Sequence, residues 1–471
     1  MQVIHLSVEC FPVAKVGGLA DVVGSLPKYL CQLGIDASVI MPFFDRKFTQ
    51  DHQLESVAKG EFHQGSSLLS YEVLRESEDS LGFPLYLIRI PGVLDREEVY
   101  CYPDEAEQWI AFQHAVLHYL KTNNIRPDVL HCHDHHVGLL PFLIRFTNEY
   151  RSLADVRTVF TVHNGQYQGW MSWSKGILLP AFDTWKWGLL DWDGVINPLA
   201  TAIKCCDAYT TVSAGYLDEL YKEANGLQAL FYDERAKSHG IVNGIDTAYW
   251  DPVADQLIIE NYGIAQVDEG KLANKKILST QYGLDPALPL LSFIGRFATE
   301  KGADILADII EDLLGNSKEA LNIFILGSGD ATIQNSIAAL LPRFKGRLAA
   351  FFGYNEGLAH QVYAASDLLI MPSRVEPCGL NQLYALKYGT IPIVRKIGGL
   401  KDTVIDVEDA GYGFVFDEVD STQATVAVSR ALAFISNKEQ FDQIREKAME
   451  LDFSWHQSAQ KYIDLYNQLL R

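Results

Sequence analysis

The segment Ser373-Arg374-Val375-Glu376-Pro377-Cys378-Gly379-Leu380-Asn381-Gln382 carries the most specific local instructions in the chain. Ahead of it, Asp367-Leu368-Leu369-Ile370-Met371 is a short apolar run, the pattern of a strand buried on both faces of a parallel sheet. Pro372 and Pro377 bar a helix between those points. Beyond Pro377, Leu380, Leu383, Tyr384 and Leu386 recur at helical spacing and Gly389 supplies the stop. The segment therefore reads as strand, loop and helix, with Glu376 in the crevice. The N–H groups of Cys378, Gly379 and Leu380 are expected to project from the helix start, which suits an anion. Carboxylates grip sugar hydroxyls and such amides grip phosphates, so the pair suits a ligand that is part sugar and part phosphate. An ordinary loop with a surface acid fits the same residues.

The same alternation extends in both directions. Leu290–Ile294 is a strand followed by Gly295-Arg296 and Lys301-Gly302, then a helix from Ala303. Asn322–Leu326 runs into the glycine turn Gly327-Ser328-Gly329, and Leu348–Phe352 into Gly353-Tyr354. Ile391–Val394 precedes Gly398-Gly399, and helices are expected over 421–436, 438–449 and 455–470. Toward the N-terminus, Val3–Val8 is a strand, and Lys15-Val16-Gly17-Gly18 lies before a helix that ends at Gly34. This first βα turn lacks G-x-G-x-x-G and is no dinucleotide fingerprint. Residues 45–80 read as a polar, irregular surface excursion, and 247–275 as irregular after a hinge near Val242-Asn243-Gly244. Strands at 128–130 and Thr158–Val162 end in His131-Cys132-His133-Asp134-His135-His136 and His163-Asn164-Gly165. Ligands of open α/β sheets bind at such carboxyl edges. The expected architecture is α/β: two doubly wound Rossmann-like halves facing across a cleft.

Composition narrows the function. The 471 residues are 48% hydrophobic and 21% charged, as in a globular chain with ample core. The net charge of -21 opposes nucleic-acid binding. No run is long enough to span a bilayer and no signal segment is evident, so the chain is read as cytoplasmic and not membrane-bound. Seven scattered cysteines imply free thiols. Cys378, at a helix start, is expected to have a lowered pKa. The run from His131 to His136 lacks metal spacing, so no metal is expected; His133 and Asp134 are expected to look into the cleft. The tryptophan-rich segment 166–192 either lines a carbohydrate groove or packs the domain. The aromatic loop 94–102 leaves the same two choices.

Against a background of net negative charge, Lys15, Arg296 and Lys301 beside glycine turns are a basic cluster suited to a diphosphate, with Arg bidentate and Lys a point charge. No G-x-x-x-x-G-K-[ST], G-x-S-x-G or H-E-x-x-H is present. Transfer of a sugar from a diphosphate leaving group is the chemistry left.

Five stretches, in order, resemble bacterial glycogen synthases and plant starch synthases: Lys15-Val16-Gly17-Gly18-Leu19-Ala20-Asp21, His163-Asn164-Gly165, Val242-Asn243-Gly244-Ile245-Asp246, Gly295-Arg296 with Lys301-Gly302, and Glu376-Pro377-Cys378-Gly379-Leu380. The resemblance spans essentially the whole chain. It implies a GT-B fold, with an N-terminal, acceptor-side domain over 1–243 joined by the helix 456–471, and a C-terminal, donor-binding domain over 244–455. It implies a retaining hexosyltransferase without a cofactor. The enzyme would move glucose from ADP-glucose, or UDP-glucose, to the non-reducing 4-OH of an α-1,4-glucan. By the same analogy Lys15, Arg296 and Lys301 hold the diphosphate, and Gly18, Gly379 and Leu380 add amides. His163 and Glu376 hold the glucosyl ring. Asp21, Asp134, Asn164, Asn243 and Cys378 are further substrate-side residues, Tyr354 lies against the base and Tyr100 is on the acceptor side.

Three positions depart from common patterns. Val16 and Asn381 stand where many members carry Thr, and Tyr384 stands where the wider retaining superfamily often has a second Glu. The rival readings are a GT-B transferase with another acceptor, a non-catalytic sugar-binding homologue and a phosphorylase. The second would have lost one of Lys15, Arg296, Lys301 or Glu376; the third needs a much longer chain.

Overall fold

The computed structural model describes residues 1–317 and 319–471. The chain forms two compact units: Met1–Val242 with Trp455–Arg471, and Asn243–Ser454.

The first unit is built on β1 (Gln2–Leu6), β2 (Asp36–Phe44), β3 (Leu54–Gln64), β4 (Ser67–Glu76), β5 (Leu85–Arg89), β6 (Asp95–Arg96), β7 (Val129–His133) and β8 (Arg157–Val162). A small pair, β9 (Asp191–Trp192) and β10 (Val195–Ile196), lies apart, and β11 (Ala208–Thr211) and β12 (Ser238–Gly240) complete the sheet. The strand order is β12-β11-β8-β7-β1-β2-β5-β4-β3, parallel from β12 to β5, with β6 paired to β2. Chain order reverses at β1, flanked by β2 and β7, and a doubly wound sheet opens a crevice at such a point. The apolar stripe of the helix Gly18–Gln32 (Val22, Leu26, Leu30) and that of Trp455–Leu469 (Ala459, Tyr462, Tyr466) share a buried cluster with Val3 and Val129.

The second unit holds β13 (Leu290–Phe297), β14 (Asn322–Gly329), β15 (Leu348–Phe352), β16 (Leu368–Met371), β17 (Ile391–Arg395) and β18 (Phe414–Phe416). All pairs are parallel, in the order β15-β14-β13-β16-β17-β18. This is the 3-2-1-4-5-6 winding of a nucleotide-binding sheet, with its switch point between β13 and β16.

Two sequence expectations need correction, and one helix went unread. Residues 45–80 are not irregular: β3 and β4 form a long hairpin that continues the sheet antiparallel through β4 and β5. β4 is buried on both faces toward its end, through Tyr71 and Val73 on one and Leu74 and Glu76 on the other, whereas β3 is largely exposed apart from Phe62 and Gln64, and a register shift between Ser56 and Ala58 interrupts the period-two pattern. The helix Glu105–Thr122 escaped notice because its buried residues surround it and leave no stripe. The helix Val267–Tyr282 begins inside 247–275 and is stopped by Gly283 at φ 69°. Ahead of it Trp250 stacks between His360 (3.7 Å) and Tyr384 (3.9 Å).

Candidate functional site

In the second unit the switch point brings together residues far apart in sequence. β13 runs through Arg296 to Phe297, and the turn Thr299–Lys301 follows. β16 ends at Met371, and the loop to the helix Asn381–Lys387 carries Glu376. Arg374 laces the loop to the turn. The N–H of Arg374 donates to the Glu300 carbonyl (2.8 Å), and the Arg374 guanidinium reaches the Thr299 carbonyl (2.7 Å) and Asp304. That lacing sets Lys301 against Glu376: its Nζ lies 2.7 and 2.8 Å from the two carboxylate oxygens, and Ser373 Oγ donates to Oε2 at 2.9 Å. Glu376 is 5% exposed. Arg296 is on the same edge but its side chain is 69% exposed and pairs with Glu300 at 2.5 Å.

The glycines of this region have different tasks. Gly302 sits at φ 65°, and a Cβ there would stand 2.0 Å from the Pro372 carbonyl oxygen. Gly398, at φ 45°, backs directly onto the Glu376 carbonyl, 2.0 Å from where its Cβ would be. The neighbouring Gly399 N–H donates to that same carbonyl at 3.0 Å. Gly398-Gly399 therefore clamps the backbone under Glu376, a role the sequence did not disclose.

The expected anion turn is modified. Gly379 takes φ 73°, Leu380 is the cap, and the helix begins only at Asn381. The N–H groups of Gly379 and Leu380 take no protein acceptor among the described residues. Asn381 Nδ2 donates to the Ile294 carbonyl at 2.7 Å and ties this helix to β13. Cys378 is not the activated thiol expected: it is buried, and desolvation pushes its pKa up to about 12, with Glu376 adding to the rise. All seven cysteines are free. Tyr354 is 78% exposed and donates to Glu356 at 3.1 Å, as does Tyr249. Tyr384, in place of a second carboxylate, is stacked on Trp250.

In the first unit the organising group is one the sequence reading missed. Glu9, just past β1, is 3% exposed. Its Oε2 accepts from the N–H groups of Val16 (2.6 Å) and Gly17 (2.9 Å), and its Oε1 from the Tyr100 hydroxyl (2.6 Å). The Lys15–Gly18 loop is thus folded around a buried carboxylate. An acid just beyond an apolar strand and before paired glycines was the available signal. Lys15 Nζ pairs with Asp21 at 2.6 Å across the first turn of the helix Gly18–Gln32. A Cβ on Gly18 would meet nothing within 4 Å, so packing does not require that glycine. Tyr100 is tied to Glu9 and stacked on His136 (5.1 Å), which favours the packed alternative for its loop.

Asp134 follows β7 at φ 59° and ψ 174°, a backbone region costly for any residue but Gly and concentrated at functional sites. Its Oδ1 accepts the His163 N–H at 2.8 Å. Burial raises its pKa to about 7 and nearby Glu9 adds to that, while the amides of His163 and Asn164 oppose it. His163 is 9% exposed, and burial alone lowers its pKa to about 3. Asn164 Oδ1 accepts from Gln166 N–H at 3.0 Å. The expectation that His133 looks into a cleft is not met: it is wholly buried between His131 and His163. Asn243 opens the second unit, 6% exposed, with Oδ1 unpartnered among the described residues. In the tryptophan-rich segment Trp170 and Trp185 are exposed, while Trp173 donates to Asp191 at 2.7 Å.

The family described as the starch synthase catalytic domain matches residues 2–233, and that described as glycosyl transferases group 1 matches residues 274–450. A glycogen synthase of Flavobacterium johnsoniae is 47% identical over 471 residues, covering 100% of both chains. The solved catalytic domain of starch synthase IV from Arabidopsis thaliana, bound to ADP and acarbose, has a TM-score of 0.88. It is 31% identical and covers 100% of this chain and 99% of that one. Sucrose-phosphate synthase from Thermosynechococcus elongatus shares the fold at a TM-score of 0.63 and 18% identity, over 100% of this chain and 99% of that one.

Proposed function

Since the chain belongs to the glycogen synthase and starch synthase family of GT-B glucosyltransferases, we propose that it transfers glucose from ADP-glucose to the non-reducing 4-OH of an α-1,4-glucan with retention of configuration. A nucleotide-sugar donor and a glucan acceptor follow from the family; ADP as the nucleotide draws support from the starch synthase relative solved with ADP.

The observation that carries the reading is the Lys301–Glu376–Ser373 cluster at the switch point of the second sheet. It sets a cation beside a buried carboxylate, the two groups a sugar diphosphate needs. In this reading Arg296 and Lys301 stabilise the charge that grows on the β-phosphate oxygen as its bond to the anomeric carbon breaks. Glu376 and His163 hold the glucosyl ring, with the His163 carbonyl toward the anomeric carbon. The acceptor 4-oxygen bonds to that carbon on the face the phosphate leaves, and its proton passes to the departing phosphate oxygen. Tyr384, packed against Trp250, offers no second carboxylate for a covalent intermediate. Lys15, with Gly18, Gly379 and Leu380, completes the diphosphate grip. Asp21, Asp134, Asn164 and Asn243 complete the substrate surroundings, and Tyr354 flanks the base; Tyr100, held by Glu9 and His136, and the buried Cys378 serve as packing.

Incubation with ADP-glucose or UDP-glucose, each with and without glycogen, tests this. ADP release should require both ADP-glucose and primer. Release to water without primer, or a preference for UDP-glucose, contradicts the proposal.

A further inference from the structure

Three imidazoles on neighbouring strands form a hydrogen-bonded line that ends on His163. His5 stands on β1, His133 ends β7 and His163 follows β8. His5 Nδ1 lies 3.0 Å from His133 Nε2, and His133 Nδ1 lies 3.0 Å from His163 Nε2. At the inner end His5 Nε2 is buried without a partner among the described residues. At the outer end Nε2 of His163 is taken by His133, which leaves Nδ1 for a ligand.

One nitrogen each of His5, His131 and His133 lie within 4.8 Å of one another, a spacing that invites a metal. Their hydrogen bonds argue otherwise. His131 meets the Tyr466 hydroxyl (2.7 Å) and Thr161 Oγ1 (2.6 Å), and both nitrogens of His133 are in the line.

Burial keeps the line neutral, lowering His5 and His163 to about 3 and His133 well below its ordinary value. Each ring then carries one N–H and one bare nitrogen. Only two polarities let both contacts be hydrogen bonds. If protons point inward, from His163 Nε2 to His133 Nδ1 and from His133 Nε2 to His5 Nδ1, the last proton sits on His5 Nε2 as a buried donor with no acceptor. If they point outward, from His5 Nδ1 to His133 Nε2 and from His133 Nδ1 to His163 Nε2, the unmet group is a lone pair. Orphaned buried N–H groups are the rarer defect.

We infer that His5 and His133 are positioning residues that fix His163 as the Nδ1–H tautomer, so that it presents an N–H donor to the transferred sugar. The inference rests on the reading of His163 as a sugar contact.

Long-range proton–nitrogen spectra of the enzyme labelled with ¹⁵N-histidine report which ring nitrogen carries each proton, with His163 assigned through His163→Gln. The expected result is a proton on Nδ1 of His163; a proton on Nε2 overturns the inference. Two variants add a functional readout. His5→Asn keeps an N–H donor near the place of Nδ1, whereas His5→Phe keeps a ring and removes the donor. His5→Asn should retain the Nδ1–H signal and wild-type kcat. His5→Phe should lose that signal and about tenfold in kcat with little change in donor KM, the effect of one hydrogen bond made in the transition state. Identical behaviour of the two in both readouts also overturns it. If His5→Phe does not fold, the spectrum of the unaltered enzyme decides. If that spectrum shows Nδ1–H but His163→Gln retains full activity, the line stands and the reading of His163 as a sugar contact falls.

Discussion

Arg296 and Asp134 show how differently single residues are held at this site. Arg296 is 69% exposed, so its pairing with Glu300 adds little to stability and leaves the guanidinium available to a ligand. Its value is expected in the transition state. Arg296→Ala should lower kcat by about a hundredfold, with a smaller rise in donor KM, the size of a charge-assisted contact to a leaving group. Arg296→Lys should recover only part, having lost the planar fork. Steady-state kinetics at saturating primer give the split, and an unchanged kcat would remove Arg296 from the leaving-group grip. Asp134 is the opposite case. Its raised pKa means that the folded chain holds a proton the unfolded chain releases, so stability falls as pH rises from the ordinary 3.8 toward about 7. An asparagine in its place would keep the acceptor for the His163 N–H and, being of the same shape, would bear the same backbone cost as the aspartate. Asp134→Asn should therefore melt higher than the native protein at pH 8, and the gap should shrink toward pH 4. A gap that widens on acidification would mean that burial does not dominate at Asp134.

At the scale of elements, the site depends on backbone packed against backbone. Gly302 and Gly398 each combine a positive φ with a carbonyl oxygen 2.0 Å from the place of a Cβ. Gly398→Ala should displace Glu376 and reduce kcat by about a hundredfold, as misplacement of about 1 Å does in general. ADP affinity, assigned to Arg296, Lys301 and Lys15, should change far less. Calorimetric titration with ADP alongside the rate measurement separates the two, and equal losses in both would refute the assignment of Glu376 to the sugar. These elements also mark how far the sequence could be read. β13 and β16 were legible because Leu290–Ile294 and Leu368–Met371 are apolar runs closed by glycine or proline. The helices Ser421–Ser436 and Lys438–Glu450 were legible from their stripes. The β3–β4 hairpin was not, since half its side chains face solvent and a register shift breaks its period. Neither was Glu9, whose partners are two backbone amides and a tyrosine far along the chain. Motif spacing found Lys301 and Glu376 singly, but their pairing follows from the β13–β16 register, which no local pattern encodes.

At the scale of the whole molecule, two doubly wound sheets each gather their polar groups at a switch point, and the sequence already carried that duplication in its two alternating series. Within the first unit the helix Trp455–Leu469 packs beside the strands that bear His5 and His131. No helix among the described residues is long and apolar enough to cross a membrane. With three cations assigned to the diphosphate, prolonged chelation should leave the rate unchanged; a large loss restored by zinc or manganese would show that the buried histidines hold an ion after all. The central claim is retaining transfer of glucose to a 4-OH. It is tested most directly by following the reaction of ADP-glucose, ¹³C-labelled in the glucosyl ring, with maltohexaose by carbon NMR. The account predicts that label enters as α-1,4-linked glucose at the non-reducing end while ADP accumulates in equal amount. Label appearing in a β linkage, at the reducing end or as free glucose would contradict it.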